Sequence, residues 1–126
     1  MKKVIFTKNA PAPIGPYNQA IQQNNTVYVS GQIAINPTTG NLEIEDLKQE
    51  TQLVMKNLGA VLTESGMNYS NIVKCSIFLS DMGSFGIVNE VYGSYFTENF
   101  PARETVEVAC LPKNVNVEIS CIAVAD

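Results

Sequence analysis

The sequence contains no histidine and no tryptophan among its 126 residues. The absence of histidine excludes catalytic triads built on imidazole, histidine general bases and histidine metal ligands. Basic residues are also few, at 8 against 12 acidic ones, and the formal net charge is −4. Because an electrostatic surface for nucleic acid needs clustered lysine and arginine, we predict no nucleic-acid partner.

The three cysteines, Cys75, Cys110 and Cys121, include no C-x-x-C pair, so neither a zinc site nor a thioredoxin-like centre is indicated. Each has apolar neighbours, and we expect all three to be buried thiols. Their odd number, together with the absence of a signal-peptide pattern, favours a reduced, cytoplasmic protein. Residues 9–42 are uncharged but are interrupted throughout by polar residues, proline and glycine, so no membrane span is predicted there.

The length predicts a single domain over residues 1–126, large enough to bury a core of its own. Hydrophobic residues make up 45% of the chain and charged residues only 16%. That charge is low for a small monomer, which indicates that part of the surface is covered by other subunits.

Hydrophobic patterning predicts the first half of the fold. Residues 4–6 form a short strand, and two further strands, 19–23 and 26–30, flank an Asn-Asn pair suited to a hairpin turn. Apolar residues spaced three and four apart then predict a helix between a cap at Asp46 and a stop at Gly66.

The second half is predicted to contain a strand over residues 72–79, a helix over 84–97 and strands over 103–109 and 115–125. The strand over 72–79 is expected to present one apolar face made by Val73, Cys75, Ile77 and Leu79. This order of elements favours an α+β domain in which two helices pack on one face of a mixed, mainly antiparallel sheet. The other face would meet water or an equivalent sheet of another subunit.

Few residues can carry chemistry. Arg103, Thr105 and Glu107 fall on one strand face, where the forked Arg103 guanidinium would suit a carboxylate. Taken alone, however, Arg103 is better explained as a solvated or structurally paired surface arginine. Glu118 could activate a water as a base, or simply point outward from a half-exposed strand.

Two further segments offer polar groups. Tyr17 follows a turn restrained by two prolines, and its hydroxyl could donate to a substrate oxygen. Ser30 has no base beside it, which favours hydrogen bonding over a nucleophilic role, and Gly31 permits a close backbone approach. We expect the aromatic stripe over 84–97 to be core, with the members Phe85, Tyr92, Tyr95 and Phe96.

Motifs along the whole chain resemble the Rid proteins, the reactive intermediate deaminases of the YjgF type. The C-terminal signature is carried by Pro101-Ala102-Arg103, Thr105-Val106-Glu107-Val108-Ala109 and Val117-Glu118-Ile119. Ala12-Pro13-Ile14-Gly15-Pro16-Tyr17, Val29-Ser30-Gly31-Gln32-Ile33 and Asn36-Pro37-Thr38-Thr39-Gly40 are also similar to family motifs. The pattern is most similar to the RidA subgroup.

The resemblance implies a chorismate-mutase-like fold and a homotrimer with a central barrel and clefts between subunits. It implies a cofactor-independent 2-iminobutanoate/2-iminopropanoate deaminase, which hydrolyses intermediates such as 2-aminoacrylate to 2-keto acids and ammonia. Pyridoxal-phosphate-dependent dehydratases would supply those intermediates. The alternative is a non-catalytic regulatory protein that binds small 2-keto acids in the same cleft.

Site residues follow from the resemblance position by position. Arg103 is expected to hold the substrate carboxylate and Glu118 to position or activate water. The remaining substrate-binding residues are Tyr17, Ser30, Gly31, Phe85, Asn89 and Thr105, the last standing where the family often has cysteine.

Two departures from the family pattern concern Glu104 and Ser120. Glu104 replaces a small residue and should point away from Arg103 by strand alternation. Ser120 stands where relatives often carry a second glutamate. A ribonuclease or translation-inhibitor activity has also been attached to the family, but the acidic charge and the lack of histidine argue against it here.

Overall fold

The computed structural model describes residues 1–126 and contains six strands, two α-helices and three short 3₁₀ turns. The predicted order of elements is confirmed. In chain order they are β1 (Lys3–Ile5), β2 (Ala20–Gln23), β3 (Thr26–Gln32), α1 (Leu47–Glu64), β4 (Ile72–Leu79), α2 (Phe85–Gly93), β5 (Ala102–Glu107) and β6 (Val117–Val124). The 3₁₀ turns are Tyr69–Asn71, Met82–Ser84 and Pro112–Asn114.

The strands form one sheet in the order β1-β2-β3-β6-β4-β5. All neighbouring pairs are antiparallel except β4 and β5. These two are parallel because α2 carries the chain back across the sheet between them. The mixed, mainly antiparallel sheet is therefore as predicted, and β5 is an edge strand.

Both signals predicted for α1 are confirmed. The Asp46 carboxylate accepts a hydrogen bond from the backbone N–H of Gln49 at 3.0 Å and so caps the first turn. Gly66 follows the helix with φ +76°, a left-handed conformation that glycine adopts at little cost. The apolar stripe of α1 lies fully buried against the sheet, through Val54, Leu58, Val61 and Leu62.

Helix α2 is shorter than predicted, since it ends at Gly93 and not at residue 97. Gly93 and Ser94 are poor helix formers, and the aromatic residues beyond them gain more by packing elsewhere. The Tyr95 ring lies 5.1 Å from the Tyr69 ring, and Phe96 contacts the same cluster. The prediction was too long because Tyr95 and Phe96 keep helical spacing in the sequence although the helix ends before them.

Three burial predictions are wrong. Phe85, which was expected in the core with the aromatic stripe, is 38% exposed because it lies at the first turn of α2. Val73 is 48% exposed because a bulge between Ile72 and Lys74 shifts the alternation, so that Ile72 takes its place in the core. Cys110 is exposed, whereas Cys75 and Cys121 are buried as predicted. Cys110 lies in the irregular segment after β5, where Leu111 turns inward to Ile33 and Ile35 instead.

The two faces of the sheet differ in what covers them. Along β6 the buried residues alternate with half-buried ones, and the buried set packs under the helices in the main core. The opposite face, which carries Glu118 and Ser120, has no helix over it. Neither helix combines the length and the apolar character needed to cross a bilayer.

Candidate active site

Glu118 lines a cavity of about 370 Å³ beside the open face of the sheet. Its walls come from the segment before β2, from the end of β3 and from the turn before β6. Three other predicted site residues, Tyr17, Ser30 and Gly31, line the same cavity. The structure therefore brings four of the predicted site residues together.

The Glu118 carboxylate packs directly over Gly31. A Cβ atom built at position 31 would lie 2.7 Å from Cδ of Glu118, closer than real Cβ contacts come. Gly31 is thus required for the approach, not for a positive φ. Partial burial raises the pKa of Glu118, and the chain offers this carboxylate no ion-pair partner. A raised pKa in a cleft is a property of carboxylates that accept protons in catalysis.

Gln19 fixes the segment that forms the outer wall of the cavity. Its buried side-chain amide accepts from the backbone N–H of Thr7 at 2.7 Å and donates to the carbonyl oxygens of Thr7, Ala10 and Pro11. These bonds hold in place the irregular segment between β1 and β2, which is not part of the sheet. Tyr17, 46% exposed, lies at the end of this segment and accepts a hydrogen bond from the Ile14 N–H.

Ser30 hydrogen-bonds within the wall of the cavity. Its hydroxyl donates to the Asn18 carbonyl at 2.6 Å, and its backbone N–H donates to the Gln19 carbonyl at 2.9 Å. With its proton already donated, the oxygen keeps only acceptor capacity toward a ligand. This arrangement agrees with a hydrogen-bonding role for Ser30.

The start of β6 is held by a buried carboxylate on α1. Glu50 is fully buried and accepts from both the backbone N–H and the side-chain amide of Asn116, at 2.8 and 2.7 Å. Asn116 stands two residues before Glu118. The core helix thereby fixes the strand that carries the candidate base.

Arg103 lies in a second cluster, on β5 and against α2. Its guanidinium carbon is 5.1 Å from the centroid of the Tyr92 ring and 5.7 Å from that of Phe85. The single ion pair of the chain joins Lys74 and Glu104, so Arg103 has no carboxylate partner. An unpaired guanidinium with its hydrogen-bond donors free can take a carboxylate from outside the chain.

Two more predicted site residues, Thr105 and Asn89, lie on the elements that form this cluster. Thr105 shares the strand face of Arg103, and its buried hydroxyl oxygen has no hydrogen-bond partner. Asn89 is half-buried on α2, one turn beyond Phe85. Glu104 points to the opposite face, as predicted, where it meets Lys74 and accepts a hydrogen bond from Ser76.

Strand register places the two halves on opposite faces of the sheet. Cys75 of β4 stands opposite both Arg103 and Cys121, which puts Arg103 on the face covered by helices. Glu118 stands opposite Phe78 and so lies on the open face. With β4 between them, β5 and β6 are roughly 10 Å apart. Arg103 and Glu118 of one chain therefore do not meet.

One residue beside Arg103 was not predicted as part of a site. Tyr92 belongs to the aromatic stripe assigned to the core, and it is indeed only 4% exposed. Its ring nevertheless contacts the guanidinium. The sequence did contain a signal for this contact. Tyr92 follows Phe85 by seven residues, or two helical turns, so both rings lie on the same side of α2.

Comparison with known proteins identifies the family. The model of the family described as Endoribonuclease L-PSP matches residues 7–125. The mouse protein named 2-iminobutanoate/2-iminopropanoate deaminase is 45% identical over 98% of this chain and 92% of its own length. A crystal structure of a Rid-family protein from Yersinia pestis is 49% identical and covers 99% of this chain and 100% of that one, with a TM-score of 0.96.

A second similar structure contains a ligand. Escherichia coli TdcF with bound serine is 37% identical, covers 98% of this chain and 99% of that chain, and has a TM-score of 0.94. The likeness to these structures extends over nearly the entire fold, which confirms the predicted α+β architecture. The chain belongs to the Endoribonuclease L-PSP family, the YjgF/Rid family whose motifs its sequence carries.

Proposed function

We propose that this chain is a 2-iminobutanoate/2-iminopropanoate deaminase, an enzyme that hydrolyses reactive 2-imino acids to 2-keto acids and ammonia. The mouse relative of that name, at 45% identity, supports the assignment. The observation that carries it is the pair of unsatisfied charges at Arg103 and Glu118, each predicted from the sequence and each without an ion-pair partner in its chain.

The reaction requires one group that binds the substrate carboxylate and one base that takes a proton from water. Arg103 holds the substrate carboxylate through paired N–H donors. An enamine first gains a proton at C3 to become the iminium, whose C2 is then electrophilic. Glu118 takes a proton from a water as its oxygen adds to C2. Glu118 returns that proton to the nitrogen of the resulting carbinolamine. The C–N bond then breaks and ammonia leaves, while the hydroxyl gives up its proton to Glu118 and becomes the keto oxygen.

Little more than positioning is required of the protein. A protonated imine is reactive toward water, so holding the carboxylate and presenting one water supplies a proximity effect. A positioned base typically adds about 10²–10⁴-fold. The raised pKa of Glu118 brings its basicity closer to that needed at neutral pH. No cofactor enters this scheme.

The active site is composed from two copies of the chain. Since Arg103 and Glu118 of one chain lie on opposite faces of the sheet, the guanidinium of one copy must face the carboxylate of its neighbour. The open face also exposes apolar side chains, among them Tyr28 at 50% and Val106 at 40%. We infer that this face packs against other copies as a homotrimer with a central barrel.

The remaining site residues divide between the two halves. Tyr17, Ser30 and Gly31 shape the cavity around Glu118, and Phe85, Asn89 and Thr105 surround Arg103. Pyridoxal-phosphate-dependent dehydratases would supply the substrate, because they release enamines of this class. On the same basis we propose a cytoplasmic location.

The test couples the purified protein to a serine or threonine dehydratase and follows the decay of the released imine spectroscopically. Wild type should speed keto-acid formation, and Arg103→Ala and Glu118→Ala should each abolish the gain. Wild type that leaves the decay unchanged would refute the deaminase. If that protein still bound a 2-keto acid, the non-catalytic binding function would replace it.

A further inference from the structure

Two rings of α2 enclose the Arg103 guanidinium. Phe85 and Tyr92 stand two helical turns apart on the side of α2 that meets β5. The guanidinium carbon lies 5.1 Å from the Tyr92 centroid and 5.7 Å from the Phe85 centroid, within the range of cation–π contact. The rings differ in exposure, at 4% for Tyr92 and 38% for Phe85.

No acidic side chain competes for this guanidinium. Glu104 lies on the opposite face with Lys74. Glu107 shares the face of Arg103, but its carboxylate accepts from the backbone N–H of Met82 at 2.7 Å. An ion pair would fix Arg103 while occupying the donors that a substrate carboxylate needs. An aromatic face fixes the cation through its π surface and leaves the N–H donors in the guanidinium plane free.

Tyr92 is itself held rigidly. Its ring lies 4.9 Å from the Phe96 ring, and its residue is part of the main core. The hydroxyl lies beside the Cys75 thiol, directly across the strand pair from Arg103, and finds no oxygen or nitrogen partner. Burial raises the pKa of this hydroxyl, so the ring stays neutral at physiological pH.

We propose that Tyr92 is the positioning residue of Arg103, a buried aromatic floor that orients the guanidinium so that its donors face the incoming carboxylate. This rests on the proposed function, in which Arg103 is the carboxylate anchor. Tyr92 acts through Arg103 and does not touch the reacting atoms. Its loss therefore weakens the binding of every ligand with a carboxylate and leaves the chemistry at Glu118 unchanged.

The test compares Tyr92→Leu, which removes the ring face, with Tyr92→Phe, which keeps it. Tyr92→Leu should raise KM for the imino acid and Kd for a 2-keto acid by roughly tenfold, with kcat within about twofold of wild type. Tyr92→Phe should restore both constants. The matched control is Val91→Ala, which truncates an equally buried residue of the same helix. A similar rise in KM for Val91→Ala, or none for Tyr92→Leu, would overturn the proposal.

A second measurement does not depend on the Leu variant folding or on turnover. In a ¹H–¹⁵N spectrum of the wild-type protein, with Arg103→Lys used for assignment, the Arg103 Nε–H should show a ring-current shift and a slowed side-chain motion. A signal at the position of a free arginine would contradict the proposal. Absence of deaminase activity with a shifted Nε–H signal would refute the proposed reaction while leaving the positioning intact.

Discussion

The Glu118 side chain packs against the backbone of Gly31 so closely that no side chain fits at position 31. The carboxylate of Glu118 lies where the side chain of any other residue at 31 would begin. The irregular segment at Gly31 and the glutamate come from different strands, and both residues line the cavity. The position of the candidate base therefore depends on a residue with no chemistry of its own.

Gly31→Ala should lower kcat/KM by up to roughly a hundredfold, because displacing the base by about 1 Å misplaces the attacking water. The assay is the coupled imine decay described above. Gly93→Ala is the control, since a Cβ at position 93 meets nothing within 4 Å. Wild-type kcat/KM in Gly31→Ala would show that Glu118 need not lie where the structure has it.

Glu118→Gln should make the protein more stable at neutral pH. Burial raises the native pKa of Glu118, so the native state binds this proton more tightly than the unfolded chain does. Its contribution to stability is complete below the unfolded pKa of about 4.3 and is lost as pH rises through the raised native pKa. Glutamine does not ionise, so the variant does not lose this stability as the pH rises.

Urea unfolding from pH 4 to pH 8 measures this effect. The advantage of Glu118→Gln over wild type should be present at pH 7 and should vanish toward pH 4. A constant difference across this range would mean that the carboxylate titrates normally in the native state. The same titration predicts that kcat/KM of wild type rises with pH through the raised pKa.

Arg103→Lys separates charge from geometry. Lysine retains the positive charge but loses the fork that binds both carboxylate oxygens. KM should rise by roughly ten- to a hundredfold, while kcat changes little. An unchanged KM in Arg103→Lys would argue against bidentate binding.

Gln19→Glu tests the support of the cavity wall. The new carboxylate cannot donate to the carbonyls of Thr7, Ala10 and Pro11 that the amide now satisfies. We expect a loss of at least about 3 kcal/mol in the free energy of unfolding and faster proteolysis within residues 7–18. Gln22→Glu is the matched control, because that amide bonds only the exposed Asn24 carbonyl. Equal stability of the two variants would contradict this role.

Local signals predicted most of the fold. Asp46 and Gly66 mark the ends of α1 because capping and left-handed backbone are decided by single residues. Asn24, at φ +54°, makes the hairpin turn for the same reason. The end of α2 was missed because Tyr95 and Phe96 obey helical spacing while their packing partner, Tyr69, is distant in sequence.

The sequence predicted which residues belong to the candidate site but not how they are arranged in space. Alternation along β5 and along β6 sorts the residues of each strand into two faces. It does not say which face of β5 lies on the same side of the sheet as a given face of β6. Only the pairing of both strands with β4 places Arg103 under the helices and Glu118 on the open side. The wall fixed by Gln19 and the floor made by Tyr92 likewise depend on contacts between distant segments.

The most direct test of the account is complementation between two inactive variants. Arg103→Ala and Glu118→Ala are unfolded together, mixed in equal amounts, refolded and assayed for imine hydrolysis. If each active site joins Arg103 of one copy to Glu118 of its neighbour, random assembly restores intact sites at about a quarter of the interfaces. We predict activity near that fraction of wild type. A mixture that forms hybrid assemblies and remains inactive would contradict a site shared between copies.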